Sequence, residues 1–260
     1  SKTKISVRFK PMTKVLGVIP TRLGSTRIPE KILHNIHGKT LIEWTYERSK
    51  RARLLDDLVV ATDSDRIAEA VKSFGAEAIM TSVKHQTGTD RAYEAAKKYK
   101  KFSPDVVAVI WGDEPLYPAS IIDACIKKLL SDRELVAVAA ADNITDPSML
   151  GTDSVVKVVT DKDDRAIYIS RALIPHWYKG DAPKYYHIIG AMVMRMDFLK
   201  KYVSMKQTPL EQIEGVEQLR IIENGYKLGI IKSNSGNLGV NTPIELQEVK
   251  RIIGKKLKHK

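Results

Sequence analysis

The apolar positions of this chain follow two rhythms. Val15 to Ile19, Leu58 to Ala61, Ala78 to Met80, Asp105 to Ile110 and Leu135 to Ala141 are short runs with almost no polar alternation. Such runs predict strands buried on both faces. Between them the period changes. Leu41, Trp44, Thr45, Arg48, Ala52 and Leu55 fall at helical spacing behind Thr40, a suitable cap. Helices are likewise predicted over Asp65 to Phe74, ended by Gly75, over Thr89 to Tyr99 and over Pro118 to Leu130. Strands and helices in alternation give an α/β fold of Rossmann-like type, with a mostly parallel central sheet and helices on both faces. Ligands then bind beyond the carboxyl ends of the strands, which points to residues 20–31, 62–65, 81–91 and 111–117.

After Asp142 the rhythm is mixed. Val155 to Thr160, Ala166 to Ser170 and Gly190 to Met194 read as strands, and Glu211 to Glu223 and Pro243 to Ile253 as helices. A smaller mixed lobe that adds substrate contacts is expected. The predicted layout is a basic extension over 1–13, a nucleotide-binding half over 14–142, an acceptor half over 143–253 and a basic tail over 254–260.

The chain has 260 residues, 43% of them hydrophobic, enough for a full core without covalent staples. Its single cysteine, Cys125, excludes an internal disulfide. No apolar run is long enough for a membrane span and Ser1 to Thr13 lacks a signal-like stretch, so a soluble cytoplasmic protein is expected. The net charge of +12 first suggests nucleic acid. Its placement argues otherwise: eleven of the charges stand in residues 1–14 and 250–260, where there is no acid, and leave only +1 for the rest. No specific nucleic-acid partner is expected.

The loop after the first strand carries Arg22, Arg27 and Lys31 with Gly24, Ser25 and Thr26. Cations beside an open backbone suit a polyphosphate. No G-x-G-x-x-G fingerprint opens the following helix, and Gly38-Lys39-Thr40 lacks the upstream glycine of a phosphate loop, so it reads as a turn and a helix cap. Gly112 and Asp113 follow the fourth run. A carboxylate there is placed to hold Mg²⁺ against a phosphate, and the glycine permits close approach. Thr87-Gly88-Thr89 opens a helix whose first N–H groups suit a phosphate or a base edge, and the same residues suit a capped helix start. The six histidines show no metal-ligand spacing, no G-x-S-x-G elbow occurs, and Cys125 lies in an apolar helix as packing.

Taken in order, these segments resemble the 3-deoxy-manno-octulosonate (Kdo) cytidylyltransferase family, the CMP-Kdo synthetases, within the sugar nucleotidyltransferases. The match runs from about Val15 to Val249 through Val18 to Pro29, Val60 to Asp63, Met80 to Ser82, His85 to Arg91, Gly112 to Pro115, Tyr168 to Pro175, Pro209 to Glu211, Glu217 to Arg220 and Gly239 to Pro243. The resemblance implies the nucleotide-diphospho-sugar transferase fold and a cytoplasmic homodimer that makes a CMP-sugar from CTP and an acidic sugar, releasing pyrophosphate. Arg22, Lys31 and Asp113 would be catalytic. Arg22, Gly24, Ser25, Lys31, Gln86, Thr87, Gly88, Thr89, Gly112 and Asp113 would bind the nucleotide. Arg171, Glu211, Gln218 and His187 would hold the sugar. Asp113 and Asn241 would bind Mg²⁺, or Mn²⁺ in its place. The chain departs from the family pattern at Asn241, where an aspartate is usual, at Trp111, where glutamine is usual, at His187, displaced by one position, and at Met192 and Met194, where tyrosines are usual. Two other readings stand beside this one. One is a nucleotidyltransferase of the same fold for another acidic or phosphorylated acceptor; the other is a lapsed paralogue that binds CTP or CMP without turnover.

Overall fold

The computed structural model describes residues 13–24 and 28–258. The five apolar runs become β1 (Val15–Thr21), β4 (Asp57–Thr62), β5 (Glu77–Met80), β6 (Val106–Ile110) and β7 (Leu135–Asn143). Between β1 and β4 lie the short pair β2 (Asn35–Ile36) and β3 (Lys39–Thr40), then α1 (Leu41–Ser49). The predicted turn and cap are there: Gly38 takes φ 88° and the Thr40 side chain accepts from the Glu43 N–H. The other helices of this half are α2 (Asp65–Ser73), α3 (Gly88–Lys98) and α4 (Ala119–Ser131). The second half holds β8 (Lys157–Thr160), β9 (Ala166–Ser170), β10 (Tyr186–Arg195), α5 (Met196–Tyr202), α6 (Pro209–Glu214), α7 (Leu219–Glu223), β11 (Lys227–Ser233) and α8 (Pro243–Lys258).

Seven of these strands run in the order β11-β7-β10-β6-β1-β4-β5, with the β8–β9 pair attached beside β10. The pairs of β1 with β4 and β6, β4 with β5, and β7 with β11 are parallel. β10 is the exception, wedged antiparallel between β6 and β7. The second half therefore returns to the centre of the sheet. Successive residues of a strand face opposite sides, and β1 shows it. Val15 and Ile19 join Leu41, Ile67, Ile122 and Leu246 on one face; Leu16 and Val18 join Ala92, Met192, Phe198 and Leu219 on the other. Helices thus cover both faces, as the pattern predicted. Cys125 is wholly buried as packing, and burial pushes its thiol up to about 12.

Several elements differ from the sequence expectation. The helix expected over Glu211 to Glu223 is two helices, because Gly215 takes a left-handed φ of 62° and ends the first. The last helix continues past Ile253 to Lys258. β11 and α5 had not been foreseen: Lys227, Lys232 and the paired lysines of Lys200-Lys201 break up their apolar signals. Met192 and Met194 are buried among Val18, Val109 and Ala139, so this departure from the family pattern lies in the core.

Candidate active site

Three hollows open beyond the carboxyl ends of β1, β5 and β6 and join into one cleft. The first, about 330 Å³, is lined by Arg22, Gly24, Lys31, Gly112, Asp113 and Asn241 among others. A second, about 170 Å³, continues from Arg22 to His85, Gln86, Thr87 and Arg91. The third, about 430 Å³, runs from Asp113, Trp111 and Asn241 toward Glu217 and Gln218. Gly88 belongs to all three. A Cβ there would stand 3.1 Å from Pro20 Cγ, so a side chain would crowd the junction.

Local sequence explains the cleft walls. Thr87 caps α3 and shares a capping box with Asp90, which turns the first N–H groups of the helix toward the junction. Gly112 follows β6 where a Cβ would meet Thr21 Cγ2 at 3.0 Å, so the strand-end loop can lie close to β1. Lys31 enters on a single 3₁₀ turn (Lys31–Leu33). Its ammonium donates to Asp113 Oδ2 at 2.6 Å and to the Val240 carbonyl at 2.7 Å, tying three chain segments together at the cleft wall. In the second hollow Arg91 is buried and donates to Thr81 Oγ1 and Asp63 Oδ2, each at 2.6 Å, while His85 bonds to Glu94.

Asp142, buried, braces the segment behind Glu114. Its carboxylate accepts from the Ser235 and Asn237 N–H groups and from the Ser233 and Ser235 hydroxyls, and these bonds hold it below the usual carboxylate range despite burial. Asn237 in turn donates to Glu114. Burial, with the nearby Asp113 charge, raises Glu114 to about 8. Gly190 carries the β10 bulge at φ 61°, and a Cβ there would fall 1.9 Å from the Tyr117 ring. Only glycine fits, and its carbonyl accepts from the Trp111 N–H at 2.9 Å.

The structure brings together Arg22, Gly24, Lys31, Gln86, Thr87, Gly88, Gly112, Asp113, Gln218 and Asn241. Ser25 and Arg27 lie outside the described residues. Thr89 is buried beneath the α3 turn beside Glu217 rather than in the cleft lining. Three residues expected to hold the sugar stand elsewhere. The Glu211 carboxylate is buried in an ion pair with Arg220, 2.7 Å from its Nε, and also caps α6, so it has no open face. Arg171 donates from its guanidinium to the carbonyls of Glu214, Asp153 and Gly215 and is not among the residues lining the three hollows. His187 sits across from Asp142 on the β7–β10 ladder; burial holds its imidazole below the usual range. Its neighbour Ile188 lines the third hollow instead.

Glu217 was missed as a site residue. It precedes Gln218 in the turn between α6 and α7, and burial with the Asp90 charge raises it to about 7. Its signal was adjacency to Gln218 after a helix-ending glycine. Trp111, Glu114, His85 and Arg91 also line the cleft, though the sequence had given them no role there.

A sequence model of the cytidylyltransferase family matches residues 16–231. A 3-deoxy-manno-octulosonate cytidylyltransferase of Fusobacterium nucleatum is 40% identical over 91% of this chain and 95% of its own. One from Leptospira interrogans is 42% identical over 92% and 95%. The chain belongs to the 3-deoxy-manno-octulosonate cytidylyltransferase family. A solved CMP:2-keto-3-deoxy-manno-octonic acid synthetase complexed with CTP superposes with a TM-score of 0.87 at 31% identity, covering 94% of this chain and all of that one. The family fold expected from the sequence is therefore present. Among the described residues no helix is long and apolar enough to cross a membrane.

Hard oxygen donors of this cytidylyltransferase meet at Asp113 and Asn241, which line the same two hollows. Among the described residues no three histidine, cysteine or carboxylate side chains converge on a metal position. One carboxylate and one amide oxygen fit an ion that takes one or two protein ligands and keeps phosphates and water for the rest, the habit of Mg²⁺.

Proposed function

We infer that this cytidylyltransferase transfers CMP from CTP to Kdo and releases pyrophosphate. The observation that carries the reading is a single cleft. It joins Arg22 and Lys31, a helix N-terminus at Gly88 and the Glu217–Gln218 turn. Arg22 and Lys31 offset phosphate charge, and Lys31, already anchored to Asp113 and Val240, needs little reorganisation. The α3 N-terminus adds N–H groups for the nucleotide. Glu217, near neutrality at its raised pKa, exchanges hydrogen bonds with sugar hydroxyls without the full repulsion a charged carboxylate would exert on an acidic sugar. The anomeric oxygen bonds to the α-phosphorus, the bond from that phosphorus to the bridging oxygen breaks, and the hydroxyl proton is released. Catalysis is positioning and electrostatics. Asp113 and Asn241 would hold Mg²⁺ or Mn²⁺, which supplies further charge to the phosphates when bound.

We place the enzyme in the cytoplasm as a homodimer. Ile167, Leu173, Trp177 and Tyr178 are 44–84% exposed, an apolar surface that a second copy would cover. The reading is tested by pyrophosphate release from each of the four NTPs with Kdo and a panel of acidic and phosphorylated sugars. Turnover confined to CTP and Kdo is expected. A preference for another acceptor, or CTP binding with no turnover, would remove it.

A further inference from the structure

A second cavity, about 510 Å³, lies between α1 and the end of α8 and shares no residue with the cleft. Its floor is Trp44, Ile253 and Leu257; its walls are Arg48, Arg51, Lys255 and Lys256. Among the described residues none of these four cations forms an ion pair. Of the acids nearest in sequence, Glu43 and Glu47 pair with Lys39, and Glu248 pairs with Arg251 while also feeling the Lys255 charge. Arg48 is fixed by donating to the Leu116 carbonyl at 3.2 Å, and burial with the adjacent Arg51 charge holds its guanidinium below the usual range. The four cations therefore lack a direct ion pair, and Arg48 among them is partly desolvated, a charge that an anion would relieve. The carbonyl ends of α8 offset only a fraction of it.

We propose that this cavity binds a small organic phosphate, its charge against Arg48, Arg51, Lys255 and Lys256 and its organic part against Trp44, Ile253 and Leu257. The concave shape favours a small solute over a bilayer surface. Two guanidiniums supply the planar forks that phosphate oxygens match, and the lysines supply point charge. The site accounts for part of the basic C-terminal end, which the transfer reaction does not use.

The test is calorimetric titration of adenosine 5′-monophosphate and ribose 5-phosphate into the protein kept saturated with CTP, without acceptor, at low salt. Saturable binding with one site per chain is expected, weakening as salt rises. Arg51→Glu, and separately Lys255→Glu with Lys256→Glu, should each weaken it at least ~10-fold, the scale of losing one charged hydrogen bond. CTP affinity and basal turnover should stay unchanged, because these side chains lie outside the cleft. Absence of saturable binding, or binding insensitive to both sets of substitutions, overturns the proposal. Sedimentation with phosphatidylglycerol vesicles that is lost on Lys255→Glu with Lys256→Glu, when neither phosphate binds, would show a lipid surface in its place.

Discussion

The two halves of this cytidylyltransferase spend their charged residues differently. In residues 14–142 Arg22, Lys31, Asp113 and Glu114 line the cleft from the segments that follow β1 and β6, which run parallel; Arg91 on α3 is the exception, buried against Asp63. In the acceptor half the charges singled out from the sequence are consumed by the fold: Glu211 by Arg220, Arg171 by three carbonyls, His187 by burial beside β7. A parallel sheet announces where its site is. An irregular lobe needs buried ion pairs and carbonyl ties to hold its shape, and such residues look like ligands in a sequence.

The sharpest way to break this contrast is Glu211→Ala. It leaves the Arg220 guanidinium buried without its partner, and should cost about 3–5 kcal/mol of stability, read as a lower urea midpoint. An unchanged midpoint with a raised KM for the sugar would return Glu211 to the site. In the other half, Asp113→Asn should reduce kcat at least ~100-fold, the scale of losing one transition-state contact. Its thermal midpoint should barely move, and near-normal turnover would take Asp113 out of the mechanism.

Glu217→Gln probes the acid of residues 143–253 that, among the described residues, lines the cleft. The KM for Kdo should rise ~10-fold or more with KM for CTP unaffected, the cost of one mismatched hydrogen bond. A defect confined to CTP would move Glu217 to the nucleotide. Glu114 sharpens the comparison through pH. Its folded pKa, about 8, lies above the ordinary glutamate value of 4.5, so its contribution to stability is full below about 4.5 and is lost as pH rises through about 8. Thermal midpoints should fall across that window, and Glu114→Gln should flatten the fall. A mutant profile parallel to the parent's would show that Glu114 is not the group responsible. The smallest effect is expected from Asn241→Asp. An added charge beside Asp113 should lower the Mg²⁺ concentration for half-maximal rate a few-fold. Unaltered metal dependence would assign Asn241 to the turn that Glu245 already braces through the Asn241 and Thr242 N–H groups.

The sequence by itself determined the layered α/β architecture, because strands buried on both faces and helices buried on one leave unmistakable periods. It also placed Lys31, Gly88, Gly112 and Asp113 at the cleft, since they stand in the loops and the helix start that follow the strands. Tertiary structure decided what depends on long-range pairing. β10 lies antiparallel between β6 and β7, a choice made by partners more than 40 residues away in the chain and invisible to any window of sequence. The same holds for the acceptor side. Whether Glu211 or Glu217 lines the cleft turns on one left-handed glycine at 215 and on which carboxylate Arg220 captures, and both are settled only when α6, α7 and the sheet pack together.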